Sequence, residues 1–228
     1  MTKIYISPSD QTENPYAGLN TNEAVVNQQI GETLEAALAR CGINARCNRT
    51  VSISQGVEES NNWGADYHIC LHTNAFNGEV SGTRLFHSGN EIPASACRAV
   101  MSRLAPITPG SSDNITAWPE LYEVRSVNGW TVYIESGFHD NPTEAAWLVS
   151  HTADVAEAIC HGMCDHLGVE YVPVDAPEAT AAPEAGKLYR VQIGAFSVRE
   201  NAERTLEMAK MAGFADAFIA EDSYGNFE

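Results

Sequence analysis

The sequence predicts an α/β fold: a mostly parallel, twisted central sheet flanked by helices, plus a small α+β module at the C-terminus. Three observations carry this reading. Short β-branched and aromatic runs alternate with helix-period patterns along most of the chain. Residues 65–72 form one continuous apolar run, as expected of a strand buried on both faces. A Pro/Ala-rich stretch then separates a long first part from a short second one.

The elements follow in order. Residues 3–7 read as a strand that stops at Pro8, and the polar residues 9–20 as a loop. Thr21 or Asn22 caps a helix that continues through Val25, Val26, Ile30, Leu34 and Leu38 and stops at Gly42. A second strand is expected at 43–47, a short helix within 52–62, and strands at 65–72 and 82–87. Residues 93–104 suit a helix, 121–124 and 130–135 strands, and 143–150 and 152–167 helices. The domain boundaries expected are 1–171 for the first domain, 172–186 for the linker and 187–228 for the second module. That module reads as strand 189–196, helix 199–212 and strand 217–220.

Composition narrows the function. Hydrophobic residues make up 44% of the 228, so a packed core can form. A net charge of −17 disfavours nucleic acid and anionic membranes, because phosphate binding needs clustered cations. No apolar run approaches the roughly 20 residues of a membrane span, so membrane insertion is not expected. The first residues lack the pattern of a signal peptide. The expectation is a protein made in the cytoplasm that reaches an external substrate after release, through a holin or cell lysis. The six cysteines are therefore read as thiols, not disulfides. Cys160, His161, Cys164 and His166 could suggest a metal site. Cys160 and Cys164 share the stripe of Ala156, Ile159, Met163 and Leu167, and core packing is the preferred reading.

Ligands of open α/β sheets bind beyond the carboxyl ends of strands, which directs attention to polar residues placed there. These are Asp10 and Gln11 after the first strand, His72 and Asn74, and the stretch Glu135 to Asn141, with Glu23 opening the first helix. His, Glu and a second carboxylate around an open position are what zinc hydrolysis requires. Each has a plainer reading. Glu23 suits a helix N-terminus by charge alone, and His72 suits a hydrogen-bonded buried histidine. Glu135 is harder to set aside, since a carboxylate after Val-Tyr-Ile needs a partner near the core.

Residues 1 to about 170 resemble the family 3 N-acetylmuramoyl-L-alanine amidases in motif and order. Cys70-Leu-His72-Thr-Asn74-Ala matches one signature element, Ile134-Glu135-Ser-Gly-Phe138-His-Asp-Asn141 another, and Glu23 with Asn27 a third. The resemblance implies Zn2+ held by His72 and Glu23, Glu135 as general base, and Asn74 and Asn141 on the substrate side, shaping the loops. It implies hydrolysis of the amide between N-acetylmuramic acid and L-alanine in peptidoglycan, as in endolysins and autolysins. A wall-binding protein without metal, or a zinc peptidase of stem peptides, are the alternatives. The first element departs from the family pattern. Where a Gly-His is usual, this chain has Pro8-Ser9-Asp10-Gln11, similar to a Ser-Pro-Ser-x-Gln subgroup of phage and Firmicute lysins. Asp10, Gln11 and His139 all remain open as the third ligand. Residues 187–220 resemble the first half of a SPOR domain, a peptidoglycan-binding module. Self-association through that half-module, or a chain ending short of the whole module, would follow.

Overall fold

The computed structural model describes residues 2–49, 52–174, 198–211 and 217–220. The chain divides into two compact units, Met1–Ala176 and Pro177–Glu228. The first is built in chain order from β1 (Lys3–Pro8), α1 (Glu23–Arg40), β2 (Asn44–Cys47), α2 (Ile53–Trp63), β3 (Tyr67–Asn74) and β4 (Arg84–His87). It continues through α3 (Glu91–Leu104), β5 (Asn114–Ala117), α4 (Tyr122–Ser126), β6 (Trp130–Phe138), α5 (Pro142–Ser150) and α6 (Thr152–Leu167). In the second unit the described regular element is α7 (Arg199–Met211), where Arg199 Nε and Glu203 Oε1 pair one turn apart at 2.8 Å.

The strands form one sheet in the order β2-β1-β3-β6-β4-β5. β2, β1, β3 and β6 run parallel, β4 runs antiparallel to β6, and β5 is parallel to β4. Side chains alternate between faces along each strand, and the two faces differ in kind. Ile4 and Ile6, Ile69 and Leu71, Val132 and Ile134, and Leu85 occupy one face, all fully buried. α1, α3 and α6 cover it with Ile30, Leu34, Val100, Leu104, Ile159 and Met163. The register places Tyr5 and Ser7, His68, Cys70 and His72, Tyr133 and Glu135, and Arg84 and Phe86 on the other face. α2 packs over β1 and α4 over β6 on this face, while towards β4 Arg84 and Phe86 are half-buried and Trp118 is exposed. β3 is thus buried on both faces as expected, but one of them is titratable.

The helix ends follow local rules. Asn22, not Thr21, caps α1 by accepting from Val25 N at 3.1 Å. Ser52 and Gln55 form a capping box at α2. Three sequence expectations need correction. Residues 121–124 do not form a strand: Arg125 N bonds Leu121 O at 3.0 Å and the segment turns as α4. The β propensity of Leu, Tyr and Val is overridden by the buried partners that Glu123 finds from a helical turn. β5, unanticipated, is a largely exposed edge strand of only four residues, too short for a periodic signal. Residues 217–220 carry no strand. A strand exists through its ladder, and the partner expected at 189–196 lies outside the described residues.

The described cysteines are all free and buried. Cys41 joins Cys160 and Cys164, its Sγ 3.8 Å from that of Cys160, inside the apolar core. Burial pushes the Cys160 thiol up and that of Cys164 to about 12, so they pack as neutral thiols. His161 and His166 face elsewhere, stacked on Tyr171 at 4.1 Å and bonded to Tyr67 Oη at 2.8 Å. α3 and α6 approach closely at Gly162, where a Cβ would lie 2.5 Å from Val100 Cα and 2.8 Å from Ala99 O. Gly162→Ala is therefore expected to destabilise the domain by ~1–3 kcal/mol in urea unfolding. An unchanged midpoint would contradict this packing.

Candidate active site and metal centre

The site assembles at the carboxyl ends of β1, β3 and β6. Capping by Asn22 puts Glu23 in the first turn of α1, 1% exposed, against the end of β3. The preceding loop holds it there: Glu23 N bonds Asn14 O at 3.0 Å, and Asn14 Nδ2 donates to both Glu23 Oε2 (2.7 Å) and Gln11 Oε1 (2.6 Å). His72 lies directly across the ladder from Glu135, just before the β3–β6 register shifts. His139 follows β6, its backbone N bonded to Asn74 O at 2.9 Å. Its ring stacks on Tyr16 at 5.9 Å, and Nδ1 lies 3.1 Å from Thr73 Oγ1.

His72 is held between two carboxylates. Nδ1 lies 3.0 Å from Glu23 Oε1 and Nε2 3.2 Å from Glu123 Oε2, while Tyr133 stacks on the ring at 4.7 Å. Burial opposes the charged ring, but the bonds to Glu123 and Glu23 outweigh it and raise its pKa to about 10. Glu123 Oε1 also accepts from Ser7 Oγ (2.6 Å) and lies 3.1 Å from His68 Nε2. Burial works against its ionisation too, yet the bonds from His68 and His72 bring it down to about 2. Glu23 is lowered in the same way, burial being outweighed by His72 and Asn14. Glu135 goes the opposite way. Burial raises it to about 7, against the pull of His72, and its Oε2 is enclosed without a hydrogen-bond partner.

A carboxylate with a near-neutral pKa beside a histidine-carboxylate cluster is the arrangement of a hydrolase site. Residues 4–165 match the family model described as N-acetylmuramoyl-L-alanine amidase. The chain belongs to the N-acetylmuramoyl-L-alanine amidase family. A SPOR domain model matches residues 177–227, starting inside the stretch read as linker. The N-acetylmuramoyl-L-alanine amidase CwlM of Bacillus licheniformis is 25% identical over 233 residues, 98% of this chain and 87% of that protein. The sporulation-specific amidase of Bacillus subtilis (strain 168) is 25% identical over 229 residues, 97% and 86% of the two chains. Among solved structures, the catalytic domain of CwlV from Bacillus (Paenibacillus) polymyxa superposes with a TM-score of 0.67 at 18% identity. That match covers 75% of this chain and all of that one. The catalytic domain of the CD27L endolysin targeting Clostridia difficile gives 0.58 at 20%, over 72% and 98%.

The amidase domain brings some of the sequence-read residues together and separates others. Glu23, His72 and Glu135 converge, and His139 joins them, Nδ1 3.8 Å from Glu23 Oε2. Asp10 does not. It is exposed, and its Oδ2 accepts from Ile53 N at 3.1 Å at the start of α2. Gln11 touches Glu23 only through Asn14. Asn74 Oδ1 bonds its neighbour Ala75 N. Asn141 caps α5 through Thr143 N and Glu144 N and holds the loop carbonyls of Glu79 and Val80. Its side-chain amide is thus engaged with backbone on both sides. Glu123 escaped the sequence reading. The signal was there: a carboxylate in Leu-Tyr-Glu-Val needs a buried partner by the argument that singled out Glu135.

The residues present fit a divalent cation. Glu23, Glu123 and Glu135 gather around His72 with His139 and His68 beside them, a set of carboxylate oxygens and imidazole nitrogens of the kind that binds a divalent cation. Carboxylate oxygen and imidazole nitrogen are zinc donors, and Glu135 Oε2 is left over beside them. Ligand atoms of His68, Cys70 and Glu123 also lie within 4.8 Å of one another. That group is the weaker candidate. Burial pushes the Cys70 thiol well up, away from the thiolate a metal binds, and Glu123 Oε1 is already engaged by Ser7 Oγ at 2.6 Å.

Glu135 makes the metal-free domain pH-sensitive. Its carboxyl ordinarily loses its proton near 4.5 and in the folded chain only at about 7, so the folded state binds more protons in between. Stability therefore falls as pH rises through that window. Glu135→Gln should raise the melting temperature most above pH 7, with the gain shrinking towards 4.5. A gain independent of pH would show that the carboxyl is not desolvated.

Proposed function

We propose that this amidase is zinc-dependent and hydrolyses the amide between N-acetylmuramic acid and L-alanine in peptidoglycan. Glu23, His72 and His139 hold the ion, and Glu135 is the general base. The observation that carries this reading is the orphaned Oε2 of Glu135, on a carboxyl poised at about 7, across the ladder from His72. A base works best when its pKa lies near the operating pH. Bound zinc supplies Lewis acidity at the site. The chain supplies the rest. Oε2 of Glu135 takes a proton from the attacking water and returns it to the departing alanine nitrogen, so the carboxyl ends as it began. Asn14 and the Asn22 cap fix Glu23, while Thr73 and Tyr16 fix the ring of His139.

In this reading His139 takes the place of the family's first histidine, since Asp10 is exposed and turned to Ile53 N at the start of α2. Peptidoglycan is then the partner twice over, as substrate of the amidase domain and as ligand of the SPOR-like module. An enzyme is favoured over a wall-binding protein without metal, since buried carboxylates kept around an imidazole serve no purpose in binding sugar at the surface.

Elemental analysis after chelation and reloading tests the ligand set. Wild type should hold about one zinc per chain. Glu23→Gln and His139→Ala should lose it, and Asp10→Ala and Gln11→Ala should keep it. Glu135→Gln should keep zinc while wall lysis falls ~10²–10⁴-fold. Zinc lost from Asp10→Ala but retained by His139→Ala would overturn the assignment.

A further inference from the structure

The geometry points to Glu123 as a positioning residue that fixes His72 for metal binding through Nδ1, by holding its Nε2–H. The inference rests on the zinc reading above for its function, though not for its geometry. Glu123 reaches the site from α4, a single turn between β5 and β6, and is 3% exposed. Its two oxygens divide their partners. Oε1 is occupied by Ser7 Oγ at 2.6 Å and His68 Nε2 at 3.1 Å, and His68 is anchored in turn by Ser60 Oγ at 2.9 Å. Oε2 is left for His72 Nε2 at 3.2 Å. Those fixed partners come from β1, β3 and α2, so the carboxylate cannot swing away without abandoning several buried groups.

The consequence for His72 is directional. Both nitrogens face acceptor-only carboxylates and so carry protons in the metal-free protein; a cation shared with Glu23 at 3.0 Å would replace the proton on Nδ1, while Glu123 keeps the one on Nε2. Tyr133, stacked at 4.7 Å and 7° from parallel, hinders rotation of the ring about Cβ–Cγ and so keeps both nitrogens facing their carboxylates. A histidine ligand whose other nitrogen donates to a buried carboxylate is oriented before the metal arrives, and losing such a partner weakens binding ~10–100-fold.

The test uses full-length protein labelled with 15N at histidine. In metal-free wild type, the His72 Nε2–H should give a downfield, slowly exchanging resonance, which Glu123→Gln should lose. In competition with a chelator, Glu123→Gln should bind zinc ~10–100-fold more weakly. Ser7→Ala disturbs Glu123 without touching the His72 contact. It should retain both the resonance and zinc affinity within about 3-fold, which separates positioning from general loosening of the network. A protected Nε2–H surviving in Glu123→Gln, or unchanged zinc affinity in that variant, overturns the proposal. So does an equal loss in Ser7→Ala. Wild type that binds no zinc, yet shows the resonance and loses it in Glu123→Gln, supports the orientation while refuting the zinc reading.

Discussion

Everything around the site depends on one buried imidazole flanked by carboxylates. Glu23 and Glu123 bracket His72 at 3.0 and 3.2 Å, and Glu135 faces it across the β3–β6 ladder. Buried charge must be paired, and here the pairing is incomplete by design of the sheet register. Glu23 is pulled down mainly by His72 and Glu123 by His68 and His72, while Glu135 is pushed up by burial to about 7. Pairs of titratable groups driven apart in this way are how acid and base roles are assigned within one site.

The surrounding fold makes that arrangement sustainable. One face of the sheet is a packed apolar layer under α1, α3 and α6, rigid enough to keep β1, β3 and β6 in register. The other face carries Ser7, His68, His72 and Glu135, and α2 and α4 close over only part of it. The β4 side of this face is the less covered one, while the hydrogen bonds of Glu123 lie buried.

Much of this was legible in the residues. Strand ends and a helix start singled out Glu23, His72 and Glu135, and the stripe around Cys160 and Cys164 read correctly as packing. What stayed hidden depends on contacts distant in sequence. Glu123 meets His72 across 51 positions, and nothing local says that 121–124 turns rather than extends. The choice among Asp10, Gln11 and His139 could not be made from register alone. It turns on whether the α2 start captures Asp10 and whether Thr73 holds His139 some 66 positions away. Cys41 joining Cys160 is likewise a consequence of how α1 packs on α6.

The central claim, that zinc sits among carboxylates and imidazoles beside Glu135, is tested most directly by X-ray absorption at the zinc edge on the reloaded protein. The account predicts a shell of nitrogen and oxygen at about 2.0–2.1 Å with imidazole back-scattering and no sulfur. A shell at about 2.3 Å from sulfur would move the metal to a cysteine-containing cluster, that of Cys41, Cys160 and Cys164 or that of His68, Cys70 and Glu123, and contradict the account.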